Sequence, residues 1–304
     1  MVLGHEASGY VVAVAPDVDQ IRPGTRVAID PMIPCFQCAY CKDGDYPLCQ
    51  NLLGLGVSAG LVEDAIHLLK EKGIGGCFAE FVKVPASQLF VLPDGISYEQ
   101  AAMVEPLADV LHSVEAGKPI PGETAVVFGL GAMGLMHIRV LSSMGITNLI
   151  GVDPLENRRE KALTFGASQV VDPGAVDPVG VIRDATKGLG AELIFVCAGG
   201  NAQKVCTDQS LKAIRKKGRV LLYASALKPA EMLIDINHIH YGLITLSGTV
   251  GFYRRHAEQA IQLLMNGVVD VDQLRTPVFT LDEIAEAFAI SGQDDVVKVG
   301  IDLR

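Results

Sequence analysis

The apolar positions of this chain follow two different rhythms. Up to about residue 118, short valine-rich runs are cut by polar positions and turns, as in Gly9-Tyr10-Val11-Val12-Ala13-Val14, Pro23-Gly24 and Pro93-Asp94-Gly95. Strand side chains point alternately to two faces, so this pattern predicts a β-rich region of short strands. One stretch departs from it. Over Leu61 to Lys72, Val62, Ala65, Ile66 and Leu69 share a helical face opposite Glu63, Asp64, Lys70 and Glu71. That spacing predicts a short amphipathic helix in a loop, a local packing element in the simpler reading and a substrate lid in the other.

From Thr124 the rhythm changes. Nearly continuous apolar runs at Thr124–Phe128, Asn148–Val152, Gln169–Val171, Glu192–Cys197, Gly218–Tyr223 and Ile244–Ser247 alternate with helical periods. The helical periods are Ala132–Met144, Glu156–Phe165, Val179–Thr186 and Ala202–Ile214. Strands that are apolar on both faces belong in a parallel sheet covered by helices on both sides. Six of them predict an α/β protein with a doubly wound dinucleotide fold. Beyond Gly251 come a helix, His256–Met265, and a mixed tail ending in Val296–Leu303, while Pro119-Ile120-Pro121-Gly122 reads as a hinge.

Charge narrows the function classes. Thirty-five acidic residues against 25 basic ones leave the 304-residue chain at −10, and the only basic run is Arg215-Lys216-Lys217. Phosphate-backbone binding needs local positive excess, so no nucleic-acid partner is expected. An anionic cofactor would have to be held by local backbone donors. The most apolar region, Thr124 to Val152, is broken by His137, Arg139 and several glycines, so no membrane span is expected. The opening Met1-Val2-Leu3-Gly4-His5-Glu6 lacks the basic and apolar regions of a secretory signal, and a cytoplasmic protein is the expectation.

Four of the seven cysteines crowd together as Cys35-x2-Cys38-x2-Cys41-x7-Cys49. In a reducing compartment such clustering reads as metal ligation rather than disulfides. Four thiolates close a tetrahedral shell around zinc and leave no position open for chemistry, so the expected site is structural. A second motif, Gly129-x-Gly131-x-x-Gly134, follows the apolar run Thr124–Phe128 and opens a helix. Its glycines permit a tight turn and close backbone approach to a pyrophosphate, which the helix N-terminus would hold. Asp153, nineteen residues beyond Gly134, is placed to accept hydrogen bonds from an adenine ribose and to repel a 2′-phosphate. NAD is therefore the expected cofactor rather than NADP.

The order of these features carries a resemblance. Gly4-His5-Glu6-Ala7-x-Gly9, the four cysteines, Val104-Glu105-Pro106-Leu107 with His112, and then the glycine-rich turn are similar to the zinc-dependent medium-chain alcohol and polyol dehydrogenases. The Glu-Pro-Leu segment resembles most the sorbitol, butanediol and threonine dehydrogenase branch. The likeness runs over essentially the whole chain, including Gly76-Cys77-Phe78-Ala79-Glu80-Phe81 and Ile239-His240-Tyr241. It implies a GroES-like β domain over 1–118, a Rossmann NAD-binding domain over 119–255, and a segment 256–304 that returns to the first domain. By the same resemblance His5, Glu6 and Glu105 are the catalytic residues and hold a catalytic zinc, with the division of labour between the two carboxylates left open. Cys35, Cys38, Cys41 and Cys49 then hold structural zinc, and Gly129, Gly131, Gly134 and Asp153 bind NAD. Arg158 either flanks the adenine or is a helix-surface arginine. A secondary alcohol or polyol is the implied substrate and a homo-oligomer the implied assembly.

The family pattern also places residues ahead of the histidine, among them a zinc-ligating cysteine and a nearby Ser or Thr of a proton relay. The 304 residues start three positions before Gly4 and carry neither, and Cys77 falls in a different part of the pattern. The β domain is expected to be N-terminally incomplete. A fragment of an ordinary enzyme and a shortened, non-catalytic relative that keeps NAD and structural zinc both fit. Weak or absent activity of these 304 residues alone is the expectation.

Overall fold

The computed structural model of the chain describes residues 2–56 and 73–303. The helix expected over Leu61 to Lys72 lies outside the described residues. The chain divides into two compact units, one made of Met1–Asp109 with Gly251–Arg304 and the other of Val110–Val250.

The second unit is built on one six-stranded parallel sheet. Across it the strands run Thr245–Gly248, Ile214–Leu222, Ala191–Val196, Thr124–Phe128, Asn148–Val152 and Gln169–Val171. In chain order that is 6-5-4-1-2-3, the doubly wound arrangement of a Rossmann fold, whose ligand crevice opens where the order reverses. Here the reversal falls between Thr124–Phe128 and Ala191–Val196, and Gly129 sits just past it. The physical cause is the apolar runs. Val126, Phe128, Ile150, Val152, Ile194, Val196 and Val220 are buried in a single cluster. The helix Ala132–Ser143 adds Leu135, Met136, Ile138 and Leu141 from its covered face. Each such side chain contributes about 1.5–3 kcal/mol by leaving water.

Strand ends differ from expectation by one residue at Ala191–Val196 and Thr245–Gly248, and by more at the fifth strand. The fifth strand begins at Ile214 rather than Gly218, because Ile214 already pairs with Ala191 before the register shifts ahead of Arg219. The intervening Lys217 takes a left-handed φ of 61°, and the basic run Arg215-Lys216-Lys217, exposed at its two lysines, forms the irregularity.

The first unit holds a three-stranded antiparallel sheet of Ser8–Tyr10, Arg26–Ile29 and Leu89–Val91. Two small ladders accompany it, Met32–Ile33 with Leu53–Gly54 and Arg275–Thr280 with Lys298–Asp302. Ile21, Val27, Ile29, Leu55, Cys77 and Leu89 form its core. Burial pushes the Cys77 thiol up to about 11, as suits an apolar packing residue. Among the described residues no helix is long and apolar enough to cross a membrane.

Candidate functional site

Two groups of potential metal ligands stand out among the described residues, and both lie in the first unit. In the cysteine lobe, the chain turns through Phe36 with a left-handed φ of 58° and enters the short helix Ala39–Asp43, which Gly44 ends with φ 85°. This path folds Cys35, Cys38, Cys41 and Cys49 back on one another, with all four sulfurs within 4.8 Å. Cys35 to Cys41 and Cys38 to Cys49 are each 4.0 Å apart. Four sulfurs about 2.3 Å from a tetrahedral zinc would stand about 3.8 Å from each other, so the cage fits that ion and is too wide for disulfides.

Backbone amides already point at these sulfurs. The N–H groups of Gln37 and Cys38 donate to Cys35 Sγ at 3.5 and 3.4 Å, and those of Cys35 and Asn51 donate to Cys49 Sγ at 3.2 and 3.4 Å. The donors from Gln37 and Cys38 bring the Cys35 thiol down to about 6, whereas burial pushes Cys41 up to about 12. Apart from Leu52 and Met32, the apolar cluster of this lobe is the cysteines themselves. Its order therefore depends on what the sulfurs hold.

The second group gathers His5, Glu6 and Glu105, whose ligand atoms lie within 4.8 Å of one another. His5 and Glu6 are positioned by a tightly clamped strand of chain. Gly4 takes φ +89°, and a Cβ there would come 2.8 Å from the Phe78 ring. Gly4 and Leu3 carbonyls accept hydrogen bonds from the Cys77 and Phe78 amides at 2.8 and 2.9 Å. A Cβ on Gly56 or Gly76 would strike the Gly4 or Leu3 carbonyl, at 2.0 and 2.4 Å, so only glycines fit at these crossings. Glu105 comes from elsewhere, the first turn of the helix Val104–Gly117.

His5 Nε2 lies 4.0 Å from Glu105 Oε1, with side-chain exposures of 37% and 10%. Burial holds the His5 pKa below its usual value, which keeps the ring neutral and its lone pair free for a cation. Burial, and then the charges of Asp109 and Glu6, push Glu105 well above the ordinary carboxylate range. Glu6 is ion-paired to Lys298, which arrives on the last strand. Carboxylates crowded against a neutral imidazole suit a divalent cation held by three protein ligands, the arrangement that leaves a position open. Sequence reasoning missed Lys298, and no local signal marks it, since its partner lies at the other end of the chain. It also missed Asp109, for which the i, i+4 spacing from Glu105 was a usable signal.

The glycine-rich turn lies in the second unit. Gly129 has φ +88°, and a Cβ there would meet the Ala198 amide nitrogen at 2.5 Å. A Cβ on Gly134 would sit 1.8 Å from the Gly129 carbonyl oxygen. Gly131 is different. It is the N-cap of the helix Ala132–Ser143, without a side-chain cap, and a Cβ would meet nothing nearer than Arg158 Nη1 at 4.0 Å. Space and uncapped amides together form a cradle suited to a pyrophosphate.

Asp153, 4% exposed, closes the second strand's turn. Its two carboxylate oxygens accept from the Leu130 and Leu155 amides at 2.7 and 2.9 Å, which ties it to the glycine turn and leaves lone pairs for a ribose. Arg158 is half-buried, with an Nε that has no hydrogen-bond partner.

Comparisons with known proteins agree with this layout. A family model for the alcohol dehydrogenase GroES-like domain matches residues 1–94, and one for zinc-binding dehydrogenases matches residues 132–266. The L-threonine 3-dehydrogenase of Pyrococcus horikoshii is 32% identical, over 98% of this chain and 80% of its own length. The crystal structure of 2R,3R-butanediol dehydrogenase from Bacillus subtilis superposes with a TM-score of 0.83 at 31% identity, covering 99% of this chain and 80% of that one. A protein of Sinorhizobium meliloti assigned as a zinc-binding dehydrogenase, solved with NADP, gives a TM-score of 0.88 at 28% identity over 99% and 83% of the two chains. With the Rossmann strand order, the cysteine cage and the His-Glu-Glu group in place, the chain belongs to the zinc-dependent medium-chain alcohol and polyol dehydrogenases, oxidoreductases that move a hydride to or from a nicotinamide cofactor.

Proposed function

We propose that the chain carries the zinc and NAD machinery of an enzyme that oxidises a secondary alcohol or polyol, with His5, Glu6 and Glu105 as the ligands of a catalytic zinc. The observation that carries this reading is the presence of two ligand groups of opposite character. One is a cage of four sulfurs, and the other is an imidazole–carboxylate set of three ligands. Cys35, Cys38, Cys41 and Cys49 hold the structural ion. Bound zinc supplies Lewis acidity toward the substrate oxygen, and NAD supplies the hydride acceptor.

The chain's own groups supply the setting. Neutral His5 offers nitrogen, Glu105 and Glu6 offer hard oxygens, and the Lys298 ammonium is paired with Glu6. Gly129, Gly131 and Gly134 open the way to the uncapped helix, where the pyrophosphate binds. Asp153 accepts the adenine ribose and disfavours a 2′-phosphate, and Arg158 borders the same space. L-threonine and 2R,3R-butanediol, named in two relatives, both carry a secondary hydroxyl, which supports that substrate class.

As functional divisions we propose the catalytic GroES-like domain at 1–118, the NAD-binding domain at 119–255, and 256–304 as a return to the first. The GroES-like match over 1–94 and the grouping of Gly251–Arg304 with Met1–Asp109 support this. We further propose a homo-oligomer in the cytoplasm. The sheet ends on the exposed strand Thr245–Gly248, flanked by exposed Ile236, Tyr241, Leu243 and Val250, and a second copy would cover that edge.

The test is zinc per chain by elemental mass spectrometry, run with a screen of secondary alcohols and polyols against NAD. Two ions in the native sequence and one in His5→Asn are expected. One ion in both would refute the assignment of His5, Glu6 and Glu105.

A further inference from the structure

Asp109 lies one helical turn beyond Glu105 on the helix Val104–Gly117, so the two side chains share a face. Its Oδ1 is buried and has no hydrogen-bond partner. The charges that act on this carboxyl are those of Glu6 and Asp30, and Asp109 in turn acts on Glu105. The nearby cations are already engaged. Lys298 is paired with Glu6, while Arg254 lies over the Phe90 ring and pairs with Glu258. A buried acid oxygen without a donor, surrounded by charges of its own sign, is unfavourable unless something positive enters among them.

We propose that Asp109 is a positioning residue of the His5–Glu6–Glu105 site, a third carboxylate outside the ligand set that strengthens the site's hold on a divalent cation. The inference rests on the reading of that site given under the proposed function. Asp109 offers the cation a further negative charge one helical turn from Glu105 and within electrostatic range of Glu6, and its buried oxygen has no donor to satisfy it otherwise. It also explains why the helix carries two acids on one buried face where apolar residues would pack more easily.

The experiment is a cobalt(II) titration of the full chain with zinc already in the cysteine cage, in competition with a chelator and followed by the visible absorption of the bound ion. Partners of metal ligands are worth about 10–100-fold in affinity, so Asp109→Asn is expected to weaken cobalt binding by at least about tenfold. Asp109→Glu should recover part of the loss. The thermal midpoint of the metal-free chain should stay level or rise in Asp109→Asn, because an unpaired buried charge has gone. A merely structural Asp109 would lower that midpoint when replaced and leave the cobalt affinity alone. Affinity within twofold of native in Asp109→Asn, with the site lost in His5→Asn, would overturn the inference while the site reading stands. Cobalt bound equally by the native chain and His5→Asn would instead overturn the site reading. Should Asp109→Asn fail to fold, Asp109→Ser replaces it under the same criteria.

Discussion

Alanine at Gly131 and alanine at Gly134 should have opposite consequences, although both residues belong to one motif. At Gly134 the new Cβ would stand 1.8 Å from the Gly129 carbonyl oxygen, so helix and turn must separate by more than about 1 Å to reach ordinary contact. Overpacking of this kind costs about 1–3 kcal/mol, and the rigid carbonyl places Gly134→Ala in the upper half of that range. For a unit of this size, about 2 kcal/mol lowers a thermal midpoint by about 4–8 °C.

At Gly131 the φ of −67° and ψ of −172° are open to any residue, and no atom lies in the way. The lost N-cap preference and the gained backbone stiffness roughly cancel, leaving the free chain within about 0.5 kcal/mol of native. The Cβ instead occupies space in front of the uncapped amides. Losing one hydrogen bond to a charged group costs about 1.5–3 kcal/mol, a weakening of about 10–150-fold in NADH affinity. Thermal melts without cofactor and an NADH fluorescence titration read the two effects separately. The reasoning fails if Gly131→Ala melts as early as Gly134→Ala, or if it binds NADH as tightly as the native chain.

Two further outcomes follow from the first unit. Stripping zinc from the cysteine lobe, or replacing Cys49 by serine, should open residues 36–48 to limited proteolysis while NADH binding persists, since among the described residues the lobe's apolar cluster is the four cysteines with Leu52 and Met32. An unchanged cleavage pattern after confirmed zinc loss would refute this. Asp30's own share of the metal-free chain's stability should be lost as pH rises. Burial lifts Asp30 to about 7, above its unfolded value, so the folded state binds the extra proton in between. That stability is complete below about pH 4 and is lost as pH climbs through about 7, with Asp109 lifted to about 7 in the same sense. Melting the chelated native chain beside Asp30→Asn between pH 5 and pH 8 tests it: the native midpoint should fall relative to the variant's, and an unchanged difference over that window would contradict it.

What the sequence made legible depended on how locally each feature is determined. Thr124–Phe128, Asn148–Val152 and Gln169–Val171 stand where their apolar runs predict, because a strand buried on both faces leaves no competing register. The cysteine cage was equally readable, since its four ligands lie within one short loop. Ile214 was harder. Its pairing with Ala191 is set by the neighbouring strand, and the basic run after it hides a strand behind a helix-like pattern.

The His5 group shows the same limit more sharply. Gly4-His5-Glu6 can be spotted as a motif, but the ring's lowered pKa, the Glu6–Lys298 pair and the stranded oxygen of Asp109 all arise from residues brought together across the chain. A sequence lists acids without saying which will face one another out of water. Once Glu6, Asp30, Glu105 and Asp109 are folded into mutual range, the cations set against their charges among the described residues are Lys298 and Arg254, and both are already engaged. Such an arrangement is poor design for a metal-free protein and sound design for one that carries a divalent ion. The electrostatics therefore argue for the cation independently of the family to which the chain belongs.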